Sequence, residues 1–370
     1  MLVVVRTDAS ASSGLGHLTR CMTLAQTLQD HGAEVWFACA ELPETHELRL
    51  QEAGFGTILL GSSTAGTTEP ARTLGPGRPS ASPQVVDQDI DASRMIDALH
   101  DLPAPVHWIV VDHYGIDARW ESRLRPHTER LMAIDDLADR RHDCDLLLDQ
   151  NLGSEGPARY TDLIASHCTA LLGPRYALLR REFLAAREHA QPRGGPLRRL
   201  LVSFGATDPT DETVKALKVL RSLGLSDLRV DVMAPSSGHN DRVAAIARDM
   251  PGVRVHGWTD AMAQLMVESD LALGAGGSSS WERCYLGLPS ITVIVAENQR
   301  QATRALADAG ATVAVDGRSG AIEAELADAL RHFAKEPGLL RSTSENALAV
   351  MGEPFPSGAE LVVLTMMEIS

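Results

Sequence analysis

"MLVVVRTDASASSGLGHLTRC", residues 1–21, joins a short apolar run to a glycine-containing turn and then to a helical pattern. The run is too short and too rich in valine to be anything but a strand buried on both faces. Gly14 and Gly16 permit a tight turn, and a helix is expected from about Leu18 to His31. Strand, glycine turn and helix in that order open a doubly wound α/β domain. The third glycine of a dinucleotide fingerprint is missing, because Thr19 stands in its place. The turn instead carries an imidazole, His17, at the start of the helix. A neutral histidine there can take a proton from water, or it can simply help to cap the helix.

The same alternation continues outward. "EVWFAC" (34–39), "TILL" (57–60), "HWIVV" (107–111), "LMAI" (131–134) and "DLLL" (145–148) read as further strands. A second series follows with "RLLVSF" (199–204), "LRVDVM" (228–233), "VRVHG" (253–257), "DLALGA" (270–275) and "ITVIV" (291–295). Helical segments separate them, which is the signature of parallel sheets with crossover helices. Two Rossmann-like domains are expected, 1–190 and 196–350, with 351–370 as a final helix packing back on the first. The polar stretch "REHAQPRGGPLRR" (187–199) is the expected boundary, and the Gly-, Pro- and Ser-rich stretch 61–84 reads as a surface loop. Ligands of such sheets gather beyond the carboxyl ends of the strands, so a cleft between facing domains is the expected site.

Composition narrows the function. The 370 residues carry 34 Lys and Arg against 49 Asp and Glu, a formal net charge of -15. That balance excludes a nucleic-acid or anionic-membrane binder acting through bulk charge. Five scattered cysteines, with no CxxC pair, suit a reducing compartment, and no apolar run approaches a membrane span. A cytoplasmic monomer is expected.

A second glycine turn, "LGAGGSSSWERCYLGLPSI" (273–291), has the make-up of a diphosphate cradle. Gly276 and Gly277 allow close backbone approach, Ser278, Ser279 and Ser280 offer hydroxyls, and the following helix directs its positive end at an anion. Glu282 lies one turn in, where it can accept from ribose hydroxyls, and "AENQ" (296–299) brings Asn298 and Gln299 to the same rim. The bland alternative is a glycine turn that only caps a helix. Asp112, His113, Asp135, Asp136 and His142, from "VDHYG" and "IDDLADRRHDCD", admit a metal-hydrolase reading, although no local ligand pair supports it. In "YALLRREF" (176–183), Arg180 and Arg181 are either surface charges or a source of positive charge for an anionic substrate.

Taken in order, "RTDASASSGLGHLTRCMTLA", "VVDHYGIDARWE", "IDDLADRRHDCDLLLDQN", "LLGPRYALLRREF", "VSFGATDP", "GAGGSSSWERCYLGLPSI" and "AENQ" resemble one family. It is that of the UDP-2,4-diacetamido-2,4,6-trideoxy-β-L-altropyranose hydrolases of pseudaminic acid biosynthesis, and the resemblance runs from residue 1 to about 310. It implies a GT-B fold, a UDP-sugar substrate, and inverting hydrolysis at the anomeric carbon with neither metal nor cofactor. It also implies a place in making a nonulosonic acid of surface glycans and flagellin. On the matching positions it makes His17 the catalytic base and Tyr114 a second catalytic residue, and gives Arg180, Glu282 and Asn298 contacts to the nucleotide sugar. Two departures are the long 61–84 loop and Ala206, which stands where the family commonly has glycine. A glycosyltransferase of the same fold and a non-catalytic sugar-nucleotide binder are the competing readings.

Overall fold

The computed structural model describes residues 1–9, 15–61, 86–153, 156–224, 227–234, 240–257 and 259–369. Gly14 and nearly all of the 61–84 stretch lie outside them. Contacts divide the chain into two units: Met1–Asn151 with Glu155–Leu178 and Pro356–Ser370, and Leu179–Phe355 with the short Leu152–Ser154.

The first unit is built on strands β1 (Leu2–Thr7), β2 (Glu34–Cys39), β3 (Gly56–Leu59), β4 (Trp108–Asp112), β5 (Arg130–Ile134), β6 (Leu146–Asp149) and β7 (Thr169–Leu172). They form one parallel sheet in the order β3-β2-β1-β4-β5-β6-β7. Every residue of β1 and of β4 is buried, as a central strand covered on both faces requires. The first helix, Gly16–Asp30, lays Leu18, Cys21, Met22, Ala25 and Leu28 on the sheet at helical spacing. It begins two residues earlier than the apolar periodicity suggests, because exposed Gly16 and half-buried His17 open its first turn.

The last helix, Gly358–Glu368, adds Ala359, Val362, Val363 and Met366 to the same core. Gly358 makes the close approach possible, since a Cβ there would lie 2.4 Å from the carbonyl oxygen of Ala177.

The second unit carries β8 (Arg199–Ser203), β9 (Arg229–Met233), β10 (Val253–His256), β11 (Leu271–Ala275), β12 (Ser290–Ile294) and β13 (Val313–Asp316). These are parallel in the order β10-β9-β8-β11-β12-β13. The polar stretch 187–199 sits wholly in this unit. Its anchor is Arg193, buried, whose guanidinium donates to the carbonyls of Met266, Ser269 and Leu286. With no carboxylate accepting from it among the described residues, burial pulls its pKa down to about 10. Among the described residues no helix is long and apolar enough to cross a membrane.

Both sheets reverse their strand order at one place, between β1 and β4 in the first unit and between β8 and β11 in the second. The crevice beyond such a reversal is where open α/β sheets take ligands. Gly16, at the start of the helix after β1, and the Gly276–Gly277 turn after β11 belong to these two points.

Candidate active site

In the first unit, the reversal point brings together a set of hydrogen-bonded polar side chains. His17 comes from the first turn of its helix, and Arg20 one turn further on lies on the same face. Asp112 ends β4, Tyr114 follows it, Asp136 follows β5, and Asn151 follows β6. His17 Nδ1 donates to Asp112 Oδ1 at 2.6 Å. Arg20 donates to Asp112 through Nε at 2.7 Å and Nη2 at 2.6 Å, and to Asp136 through Nη1 at 2.9 Å and Nη2 at 2.8 Å. Tyr114 donates its hydroxyl to Asp136 at 2.9 Å, and Asn151 donates its amide to the other oxygen of that carboxylate at 2.9 Å. The imidazole and phenol rings meet edge to face, 4.6 Å between centroids.

The charges follow from this packing. Burial opposes ionisation of Asp112, but Arg20 and then His17 outweigh it and hold its carboxyl far below the usual range. Arg20 likewise overcomes burial at Asp136 and keeps that carboxyl low. Two ionised carboxylates can only accept, so the proton on His17 is assigned to Nδ1. The 3.2 Å approach of Arg20 Nη2 to that nitrogen is then a proximity between two donors. Nε2 makes no hydrogen bond among the described residues. Burial, then Asp136, pushes the Tyr114 hydroxyl well above the ordinary phenol value, so Tyr114 is a neutral donor at neutral pH.

The five residues of the metal-hydrolase reading disperse. Asp112 and Asp136 bind Arg20, whereas His113 turns its Nε2 to Asp8 at 3.3 Å on the opposite face of the sheet. Asp135 accepts from Ala138 N and Tyr160, and His142 pairs with Glu121 at 2.7 Å. Among the described residues no three His, Cys, Asp or Glu side chains converge as a metal ion would need.

In the second unit, β11 runs into Gly276 and Gly277, and the helix Ser278–Tyr285 starts at once. Gly277 has φ +155° and is exposed together with Ser278, so backbone N–H groups at the helix start are accessible. Under the turn lies Arg283, buried, donating to Ser279 Oγ at 3.3 Å, Ser280 Oγ at 2.9 Å and the Ala275 carbonyl at 3.1 Å. No carboxylate accepts from it among the described residues, and burial lowers its pKa. Gln299 closes the other side by accepting from Val295 N at 3.1 Å, with exposed Asn298 next to it. The neighbouring strand β8 ends in a second exposed turn at Gly205, φ +91°. Ala206 follows it in that turn.

Arg180 and Glu282, read separately as substrate contacts, bind each other at 3.0 Å. Arg180 also meets Glu182 at 2.8 Å and lies over the Phe183 ring. Burial raises the Glu282 carboxyl above its usual range, with Arg180 opposing. Arg20, Asn151 and Arg283 escaped the sequence reading. Arg20 had a usable signal, its spacing of three from His17 on one helix; Asn151 and Arg283 had none.

The glycosyltransferase family 28 C-terminal domain matches residues 218–362. An uncharacterized protein of Methanocaldococcus jannaschii is 21% identical over 308 residues, 81% of this chain and 57% of that protein. The spore coat polysaccharide biosynthesis protein SpsG of Bacillus subtilis is 31% identical over 143 residues, 38% of this chain and 42% of that one. The chain thus spans about half the length of these two relatives. The UDP-2,4-diacetamido-2,4,6-trideoxy-β-L-altropyranose hydrolase of Campylobacter jejuni is 24% identical over 314 residues, 84% of this chain and 97% of that enzyme. Among solved structures, MurG of Acinetobacter baumannii superposes with a TM-score of 0.65 at 14% identity, over the whole of both chains. At that identity the likeness is one of fold. The fold is GT-B.

Proposed function

We propose that the chain is a nucleotide-sugar hydrolase that releases UDP from UDP-2,4-diacetamido-2,4,6-trideoxy-β-L-altropyranose, with inversion. The observation that carries the reading is the His17–Asp112 pair at the β1/β4 reversal, an imidazole whose Nδ1 is fixed by an ionised carboxylate. Nε2 takes a proton from a water molecule as that water bonds to the anomeric carbon. The bond from that carbon to the diphosphate oxygen breaks, and its electron pair leaves with UDP. The products are UDP and 2,4-diacetamido-2,4,6-trideoxy-L-altrose. In this reading the second unit holds the nucleotide. The N–H groups of Ser278 and Ser279 at the helix start and the charge of Arg283 beneath them meet the growing negative charge on the diphosphate.

A glycosyltransferase is the second reading, favoured by the family 28 match over 218–362. It differs only in the nucleophile, a sugar hydroxyl in place of water. The deciding experiment incubates the purified chain with a panel of UDP-diacetamido sugars and no acceptor, following UDP and the anomeric protons by NMR. UDP with free sugar of inverted configuration supports hydrolysis. UDP that forms only when an acceptor sugar is added supports transfer. Intact substrate under both conditions overturns both.

A further inference from the structure

We propose that Arg20 is a positioning residue whose charge offsets one of the two carboxylates beside His17 and so limits their pull on a second ring proton; this rests on the reading of His17 given above. Arg20 is buried, and four of its five N–H groups are spent on two carboxylates, Asp112 and Asp136. It thereby ties the partner of His17 to the partner of Tyr114. Among the described residues, the charged and titratable groups facing His17 are Arg20 from its own helix, Asp112 and Tyr114 from the end of β4, and Asp136 from the turn after β5. Cys21, whose thiol donates to Asp112 at 3.3 Å, is the next neighbour on the helix. Beyond Asn151, Asp149 pairs with Arg159 at 2.6 Å.

Two carboxylates and one guanidinium leave a single net negative charge beside the imidazole. Without Arg20 there would be two, and a carboxylate at 2.6 Å would favour the imidazolium. An imidazolium has no lone pair for a water proton. Arg20 therefore does two things with one side chain. It fixes the Asp112 oxygen to which the ring is bonded, and it limits how strongly that oxygen attracts a second proton to the ring.

The test is an NMR titration of the full chain carrying labelled histidine, with the His17 resonance assigned by its loss in H17Q. Arg20→Gln should raise the His17 midpoint by about one pH unit or more. Arg20→Gln with Asp136→Asn should bring it back toward the wild-type value, and Arg20→Lys, which keeps the charge, should leave it nearly unmoved. An unchanged midpoint in R20Q overturns the proposal, as does a raised midpoint that does not return in the double variant. If R20Q does not fold, Asp136→Asn alone should lower the midpoint, and no movement there overturns the proposal equally. In kinetics, the acid limb of kcat/KM for UDP release should move to higher pH in R20Q, with activity partly recovered above neutrality; a uniform loss at every pH would mean Arg20 is only structural. A wild-type chain that releases no UDP fails the functional reading, while the histidine titration still decides the role of Arg20.

Discussion

His17 and Asp112 share a 2.6 Å hydrogen bond although 95 residues separate them, one from the helix after β1 and the other from the end of β4. The strands are neighbours in register, with Thr7 opposite Asp112, so the sheet itself brings the two side chains together. Asp112→Asn tests what this pairing contributes. An asparagine amide cannot hold Nδ1–H as a carboxylate does, and it can favour the wrong tautomer. We expect UDP release to fall by a factor on the order of 10² to 10⁴ with little change in KM. His17→Ala should fall at least as far, and the double variant no further than H17A. Independent, multiplying losses would show that the two residues do not act as a unit.

On the other face of β1, Arg6 and Asp8 form a buried ion pair at 2.8 Å, with His113 and Asp91 completing the cluster. Burial opposes the charge of Asp8, but the His113 hydrogen bond and Arg6 hold its carboxyl well below the usual range. Its folded pKa is depressed, so its stabilisation is present above the unfolded value of about 3.9 and is lost as pH falls below it. Asp8→Asn should cost about 3 kcal/mol at pH 7. Its stability should also fall less steeply than the wild type's between pH 5 and pH 3, as read by urea unfolding. Parallel curves for the two proteins would contradict the assignment.

Most of the fold could be read from the sequence because parallel strands covered on both faces leave unbroken apolar runs. Runs such as "MLVVV" and "ITVIV" cannot be mistaken for surface segments. The strands that escaped, β7 ("TALL") and β13 ("VAVD"), are four-residue edge strands only partly buried, where that pressure is weakest. In the candidate site, His17 and the serine turn could be picked out because each stands where a helix begins after a strand. Asp112 and Asp136 were noticed as acids, but their partner Arg20 lies in another element, over ninety residues away. Spacing along the chain carries no record of which charge a carboxylate will meet across a sheet.

Arg180 and Glu282 show the same limit, since an ion pair spanning 102 residues of sequence looks like two separate ligand contacts. The pair also makes a prediction. If Glu282 accepts from ribose hydroxyls, it must do so while Arg180 holds its Oε1. Glu282→Gln keeps the shape and a carbonyl acceptor but weakens both bonds. KM for the UDP-sugar should rise about tenfold with kcat nearly unchanged, the mark of binding made equally in ground and transition states. A fall in kcat at constant KM would place Glu282 at the reacting carbon instead.

Gly274 and Gly276 distinguish scaffold from site within one turn. A Cβ on Gly274 would lie 2.3 Å from the Ser203 carbonyl oxygen, which is backbone of the paired strand β8 and cannot move aside without breaking the ladder. Gly274→Ala should therefore lower stability by about 1–3 kcal/mol, seen as a lower Tm whether or not nucleotide is present. On Gly276 the Cβ would meet the Thr303 hydroxyl, which can turn away, and Gln299 Cβ at 3.2 Å, which moves only with its own backbone. Shifting Gln299 loosens its hold on the Val295 amide and distorts the rim beside the serines. Gly276→Ala should thus leave Tm within a few degrees of wild type while weakening UDP binding about tenfold or more by calorimetry. Equal UDP affinity in G276A and wild type would remove this turn from the nucleotide site and leave it a helix cap.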